Sequence, residues 1–265
     1  MIIIGERINS TRKTVAPAVE AKDVAFIQKE AKDQAAAGAH YIDVNVATMM
    51  DQECERMGWA IKAVQEATQL PICIDTPNPE AMKVGLMTAK GKAIMSSITG
   101  EKKRLETYIP LLKEHDCAVL ALCMDDTGMP ETAEQRFAIG AKLVEEITKA
   151  GKKEEDVFVD PLVRPVSTGS HYGTVVLGTI SRLKAEFPGV HVVCGLTNVS
   201  FGLPLRKNLN QAFLVLCMGA GLDAVILDPT DAKLMSLLLA ADALLGNDEF
   251  GLKYIAASRE ERLVV

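Results

Sequence analysis

The sequence predicts an α/β fold, a closed TIM (β/α)8 barrel, and three observations carry that reading. Short β-rich runs alternate strictly with longer helical runs, eight times over 265 residues. Runs such as HVVCGL and DAVILD are continuously apolar and β-branched, as strands buried on both faces require. No G-x-G-x-x-G follows the first strand and no Walker A motif occurs, which argues against an open nucleotide-binding sheet. Strict βα alternation implies a parallel sheet with right-handed crossovers. A barrel needs roughly 250 residues, so eight units occupy the whole chain. With no linker, low-complexity tract or shift of composition, one domain is expected over residues 1–265.

The elements follow in order. Residues 1–4 are apolar and β-branched, and Gly5 is expected to end that strand. A helical stretch over 22–37 leads to a strand over 40–46. The next helix covers 51–69, with Asp51 as a candidate N-cap. A short strand over 71–75 precedes a helix over 78–89 with Pro79 in its first turn. Strands over 92–96 and 117–124 flank a helix over 101–115. A helix over 132–150 leads to a strand over 157–160 and a helix over 171–187. The last units are a strand over 190–196, a helix over 208–220, a strand over 224–227 and a helix over 230–245.

Composition narrows the function. Hydrophobic residues make up 48% and charged residues 24%, which excludes disordered and coiled-coil classes. No run of about 18 apolar residues suggests a membrane span, and the opening MIIIGERIN is not a secretory signal. The net charge of −6, with scattered basic residues, disfavours nucleic acid as a partner. Six cysteines form no C-x-x-C pair; most lie in apolar runs, and they read as free buried thiols of a reducing cytoplasm. Four histidines show no metal-binding spacing, so no metal site is expected.

Barrel active sites stand at the C-terminal ends of the strands. Those ends read Glu6, Arg7 and Asn9; Asp43 and Asn45; Asp75 and Thr76; Ser96 and Ser97; Asp125 and Asp126; Asp160; Asn198 and Ser200; and Asp228. The mouth is rich in carboxylates and carboxamides, without a Ser–His pair or a lysine for Schiff-base chemistry. Asp125, Asp126 and Asp228 also suit helix capping or tight turns. Asp160 precedes Pro161, which has no N–H to offer a nearby cap. Asp75 ends an apolar run and wants a partner, because a lone buried carboxylate is costly. A planar heterocycle with adjacent N–H donors would supply one, since carboxylates bind such donors in pairs.

Five motifs, in order and each at a strand end, carry a family resemblance: GERIN at 5–9, IDVNV at 42–46, CIDT at 73–76, VDPL at 159–162 and GLTNVSFGLP at 195–204. Together they resemble the methyltetrahydrofolate:corrinoid methyltransferases and the folate module of cobalamin-dependent methionine synthase. The resemblance runs from Gly5 to about Leu245. It implies a pterin-binding barrel that moves a methyl group between a corrinoid and N5 of tetrahydrofolate, in a direction the resemblance leaves open. It implies that Asp75 and Asp160 hold the pyrimidine edge and that Asn198 sits near N5 and follows its change of charge. Asp43 and Asn45 match a polar pair lining the same mouth. Glu6 and Asn9 match structural supports more than direct ligands.

One position departs from the pattern. Relatives commonly carry Asn–Ser at the end of the fourth strand, whereas Ser96–Ser97 stands here. A serine cannot present the donor–acceptor fork of a carboxamide, which puts the proton network at N5 in question. No D-x-H-x-x-G cobalamin motif occurs, so the cobalamin is expected on a separate corrinoid protein docking over the mouth. By the same resemblance the chain is expected to be a homodimer. Two other readings stand beside this one. A dihydropteroate synthase usually opens with an Asn-Val-Thr-Pro-Asp-Ser-Phe-Ser stretch and ends on Arg-x-His, and both are absent. A folate-binding module without catalysis would bind pterin yet exchange no methyl group.

Overall fold

Eight parallel strands form where the β-rich runs stand: β1 Ile2–Asn9, β2 Tyr41–Asn45, β3 Ile72–Asp75, β4 Ile94–Thr99, β5 Ala118–Leu122, β6 Val157–Asp160, β7 His191–Val192 and β8 Ala224–Leu227. The computed structural model describes residues 1–264. The strands lie in the order β7-β6-β5-β4-β3-β2-β1-β8. An isolated parallel bridge between Gly195 and Ile226 brings the two ends together, with Ile226 N donating to Cys194 O at 2.9 Å. This nearly closed barrel carries ten helices among the described residues: α1 Val15–Glu20, α2 Val24–Ala36, α3 Glu53–Ala67, α4 Pro79–Thr88, α5 Lys102–Glu114, α6 Ala133–Lys149, α7 Tyr172–Glu186, α8 Arg206–Gly219, α9 Ala232–Leu244 and α10 Leu252–Arg259.

The core divides in two. The larger part packs the outer faces of the strands against the helices and includes Ile42, Val44, Ile72, Ile74, Val119, Val157 and Val159. A small cluster fills the barrel interior with Ile4, Cys73, Ile94, Ala118, Leu120, Phe158, Val193 and Ala224. Successive strand residues point to opposite faces. The residues two further along than Ile4, Cys73, Ile94 and Phe158 are Glu6, Asp75, Ser96 and Asp160. The polar row therefore stands directly above the apolar plug. The register agrees: Asn45 pairs with Asp75, Asp75 with Ser96, and Leu122 with Asp160.

Local chemistry starts the helices. Asn78 accepts from Glu80 N at 3.0 Å at the head of α4, with Pro79 following as anticipated. Thr132 and Gln135 form a reciprocal capping box on α6. Asp23 and Asp231 cap α2 and α9 through Phe26 N and Leu234 N.

Several boundaries differ from the expectation. Gly5 does not end β1, which continues to Asn9. Its missing side chain instead admits Gln34, whose Oε1 would collide with a Cβ there and accepts from Arg7 N at 3.0 Å. Asp51 is not an N-cap: it lies in a 3-10 turn, Ala47–Gln52, and Gln52 precedes α3 without a side-chain cap bond. The acidic Glu53 and Glu55 serve the α3 N-terminus instead. β7 has two residues rather than seven, because Leu196–Ser200 forms a 3-10 turn over the mouth. α8 starts at Arg206, two residues early, and α1 and α10 were not anticipated.

Helix-to-sheet spacing is tight where α4 covers β3. A Cβ on Gly85 would lie 2.7 Å from Ile74 Cγ2. Gly85→Ala is therefore expected to destabilise the fold by about 1–3 kcal/mol despite alanine's higher helix propensity. Urea unfolding measures it; an unchanged or raised midpoint would contradict the close packing.

Candidate active site

The site is assembled on the floor of the mouth by the row of inward-facing strand ends. Asn45 Nδ2 donates to Asp75 Oδ2 at 2.7 Å, while Asn45 Oδ1 accepts from Ala47 N at 3.1 Å. The amide is thus oriented by its own loop and in turn orients the carboxylate. Asp43 lies one pleat deeper on β2 and is 4% exposed. Burial, the Asp75 carboxylate and Glu6 push its carboxyl well above the usual range, against a hydrogen bond with Cys73. The Asp75 carboxyl is also raised, chiefly by burial and opposed by the Asn45 amide.

Ser96 is 5% exposed and neighbours Asp75 across the β3–β4 pairing. Its carbonyl accepts from Thr76 N at 3.1 Å. The Ser96–Ser97 peptide is cis, and the β4–β5 register shifts at this point. Arg104 stacks over Tyr108 and donates to Pro77 O and, at 3.1 Å, to Ser97 O, which ties the β3 and β4 loops together. Glu53 holds the β3 loop from beneath, accepting from Thr76 Oγ1 and from Asn78 Nδ2.

Asp160 ends β6 and is 7% exposed. The absence of an N–H on Pro161 does not leave it uncapped, contrary to expectation. Its Oδ1 skips the proline and accepts from Leu162 N at 2.7 Å. Burial pushes its carboxyl up to about 6, against backbone donors at Leu162 and Gly195 and the Arg136 cation. Asp125 and Asp228 hold tight turns, and Asp126 caps a helix. Asp125 accepts from Thr127 N, Asp126 caps α5 through Lys102 N, and Asp228 accepts from Thr230 N. Asp228 also pairs with Arg7 at 3.0 Å.

Asn198 Nδ2 lies 3.1 Å from where a Cβ on Gly195 would stand, and Gly195 is one of the backbone donors to Asp160. Asn198 is exposed on the 3-10 turn after β7 and lines an open cleft of about 340 Å³ with Glu6, Asn9, Thr11, Arg12, Thr197 and Arg206. Asn9 Oδ1 is engaged by Thr11 N and Thr11 Oγ1. Glu6 is not so engaged; it lines this cleft and a neighbouring one of about 420 Å³. Burial and the Asp228 carboxylate raise its carboxyl to about 7, opposed by the Arg12 and Arg206 cations. Strand β1 thus contributes a titratable group to the mouth that sequence reasoning ranks as a support. Its signal is parity: Glu6 shares a face with Ile2 and Ile4.

The model for the family described as "Pterin binding enzyme" matches residues 5–228. The chain belongs to the pterin-binding enzymes. It is 38% identical over 265 residues to a methylcorrinoid:tetrahydrofolate methyltransferase of Eubacterium limosum, covering 99% of this chain and 98% of that one. It is 31% identical to a methionine synthase of Mycobacterium tuberculosis over 85% of this chain and 20% of that protein. Among solved structures, a dihydropteroate synthase from Xanthomonas albilineans in complex with 7,8-dihydropteroate shares the fold, with TM-score 0.61 and 20% identity over 92% of each chain. No membrane-spanning helix occurs among the described residues of this pterin-binding enzyme, nor does any cluster of metal-ligating side chains.

The raised Glu6 carboxyl has a signed consequence for stability. The folded state binds its proton more tightly than the unfolded chain, so its contribution is complete below the unfolded value of about 4.5 and is lost as pH rises through about 7. Glu6→Gln removes that loss. The ligand-free variant is expected to be more stable than wild type above neutral pH, by at most about 3 kcal/mol, and to match it near the acid end. Urea midpoints at both ends of the range test this; a variant less stable at alkaline pH would refute it.

Proposed function

We propose that this protein transfers a methyl group from a methylated corrinoid, carried by a separate corrinoid protein, to N5 of tetrahydrofolate. The 38% identity to the Eubacterium limosum methyltransferase over the full chain is the observation that carries the reading, and that protein's name supports the direction proposed. The residue row supports it. Asp75, aimed by Asn45, and Asp160 offer two carboxylates to the N–H donors of a pterin pyrimidine edge. Ser96 between them supplies a single hydroxyl. Asp43 lies one pleat below Asn45, its carboxyl raised by burial and the Asp75 carboxylate.

The chemistry needs no covalent enzyme intermediate. N5 attacks the cobalt-bound methyl carbon in line, the carbon–cobalt bonding pair stays with cobalt, and N5 becomes an N-methylammonium that then sheds a proton. The chain's contribution is to bind the pterin, hold N5 beneath the open mouth and follow its charge. Asn198 suits the last of these, since a carboxamide donates to a free amine and accepts from an ammonium. Its exposed place at the mouth leaves room for a corrinoid arriving from outside. All residues over 1–265 serve one barrel domain in this reading, a homodimer of the cytoplasm, where six free thiols stay reduced.

The test is an anaerobic optical assay. Methylcobalamin and tetrahydrofolate are mixed with the enzyme, and the cobalamin spectrum is followed with the methyltetrahydrofolate formed; candidate corrinoid proteins then replace the free cofactor. Enzyme-dependent demethylation is expected, and tetrahydrofolate binding with no methyl exchange from any corrinoid would favour the non-catalytic module. Asp160→Ala is expected to weaken tetrahydrofolate binding by about one to two orders of magnitude, because a charge-assisted pair is lost. Asn198→Ala is expected to slow single-turnover transfer more than it weakens binding. Normal affinity in the first variant, or a normal transfer rate in the second, removes the assigned role.

A further inference from the structure

Arg136 takes no direct part in the proposed methyl transfer, and its surroundings are unusual. It lies near the start of α6 and is 0% exposed. Its hydrogen bonds all go to main-chain carbonyls. Nε donates to Pro130 O at 3.3 Å, and Nη1 donates to Pro161 O at 2.8 Å and to Leu162 O. Nη2 has no partner among the described residues. A guanidinium keeps its charge, and burying one against carbonyls alone is a poor way to stabilise a fold. An apolar side chain would suit the position, which shares a helix face with Ile139, Gly140, Leu143 and Ile147.

What the side chain holds is the turn that aims Asp160. Leu162 adopts a left-handed backbone conformation, φ 61°, which a branched residue rarely takes. In the same turn Leu162 N reaches back over Pro161 to Asp160 Oδ1. Arg136 clamps both carbonyls of the same turn and links them to the preceding loop at Pro130. Outside, Arg164 donates to Glu131 Oε1 at 2.6 Å and stacks on Tyr172, whose hydroxyl donates to Glu131 Oε2. The loop from Asp160 to α7 is thus tied from within and from without, and only the inner tie is sealed from water.

The geometry points to Arg136 as a positioning residue for pterin recognition: it fixes the Pro161–Leu162 turn and lends a buried positive charge to the Asp160 carboxylate. This rests on Asp160 being a pterin ligand. The groups facing Asp160 are Arg136 from α6, the Cys123 thiol at the end of β5, the Cys194 thiol beyond β7, and the backbone donors of Leu162 and Gly195. Around Arg136 stand Arg164 and Glu131 as well. Burial keeps the Cys123 thiol neutral, and a hydrogen bond with Cys217 together with burial does the same for Cys194. Arg136 is therefore the buried cation of this group.

The test compares Arg136→Met, Arg136→Lys and Asp160→Asn. Tetrahydrofolate dissociation constants are measured between about pH 5 and 8, beside urea midpoints. Protonation of Asp160 removes the pterin's partner, so wild-type binding weakens as pH falls through about 6. Arg136→Met is expected to weaken binding about tenfold at alkaline pH and to move that limb upward by about half a unit or more. Arg136→Lys keeps the charge and is expected to keep the limb near its wild-type place. A purely structural role would lower the urea midpoint of both variants and leave the limb alone, which overturns the inference. Should Arg136→Met not fold, Arg136→Gln supplies the uncharged comparison. If Asp160→Asn binds like wild type, the pterin role of Asp160 fails and the inference with it. If Asp160→Asn weakens binding while the uncharged Arg136 variants show wild-type affinity and limb, only the inference fails.

Discussion

The alternation of side chains along a closed ring of parallel strands is the constraint on which this molecule depends. Each strand must send every second residue inward, and the interior of an eight-stranded barrel has room only for a few layers of side chains. Ile4, Cys73, Ile94 and Phe158 fill the lower layer. The next inward position on each strand then has nowhere to go but the floor of the mouth, and there the chain places Glu6, Asp75, Ser96 and Asp160. The site is the polar end of the same rows that make the plug.

Crowding carboxylates on a dry floor is costly, and the structure offsets the cost by hydrogen-bonding neighbours more than by cations. Asn45 donates to Asp75, backbone N–H groups donate to Asp160, and the buried carboxyls hold their protons more firmly than free ones. In the proposed reading, a ligand with N–H donors would add further partners to these carboxylates.

The mouth has two characters. The sealed floor under β2, β3, β4 and β6 is acidic and suits recognition. The open side, between β1 and the start of α8, carries Glu6, Arg12, Asn198 and Arg206 around a solvent-accessible cleft. In the proposed reaction, rigid strand ends do the binding, and the turn after β7, which is not locked into the sheet, bears the amide next to the reacting nitrogen. Loop ties through Glu53, Arg104 and Arg136 keep the floor in register with the turns above it.

The sequence by itself determined the barrel and most of its floor, because βα alternation and a period of two are local properties. Asn45, Asp75, Ser96 and Asp160 are legible as strand ends for that reason. Their partners are not. The Asn45–Asp75 bond depends on the β2–β3 register, which only pairing across the sheet sets. Gly5 reads locally as a strand breaker, yet its reason lies on a different element, in the amide of Gln34 on α2. The end of β7 is hidden in the sequence because an apolar run has no periodicity to say where the sheet releases the chain. Parity puts Glu6 on the inward face, but its neighbour Asp228 is far away in the chain and no local pattern reports it. Arg136 also leaves a trace, a charge on an apolar helix face, but its object, the turn behind Asp160, comes into contact only when α6 packs against β6. Local patterns specify which faces are apolar; which buried charges meet is decided by packing between segments far apart in the chain.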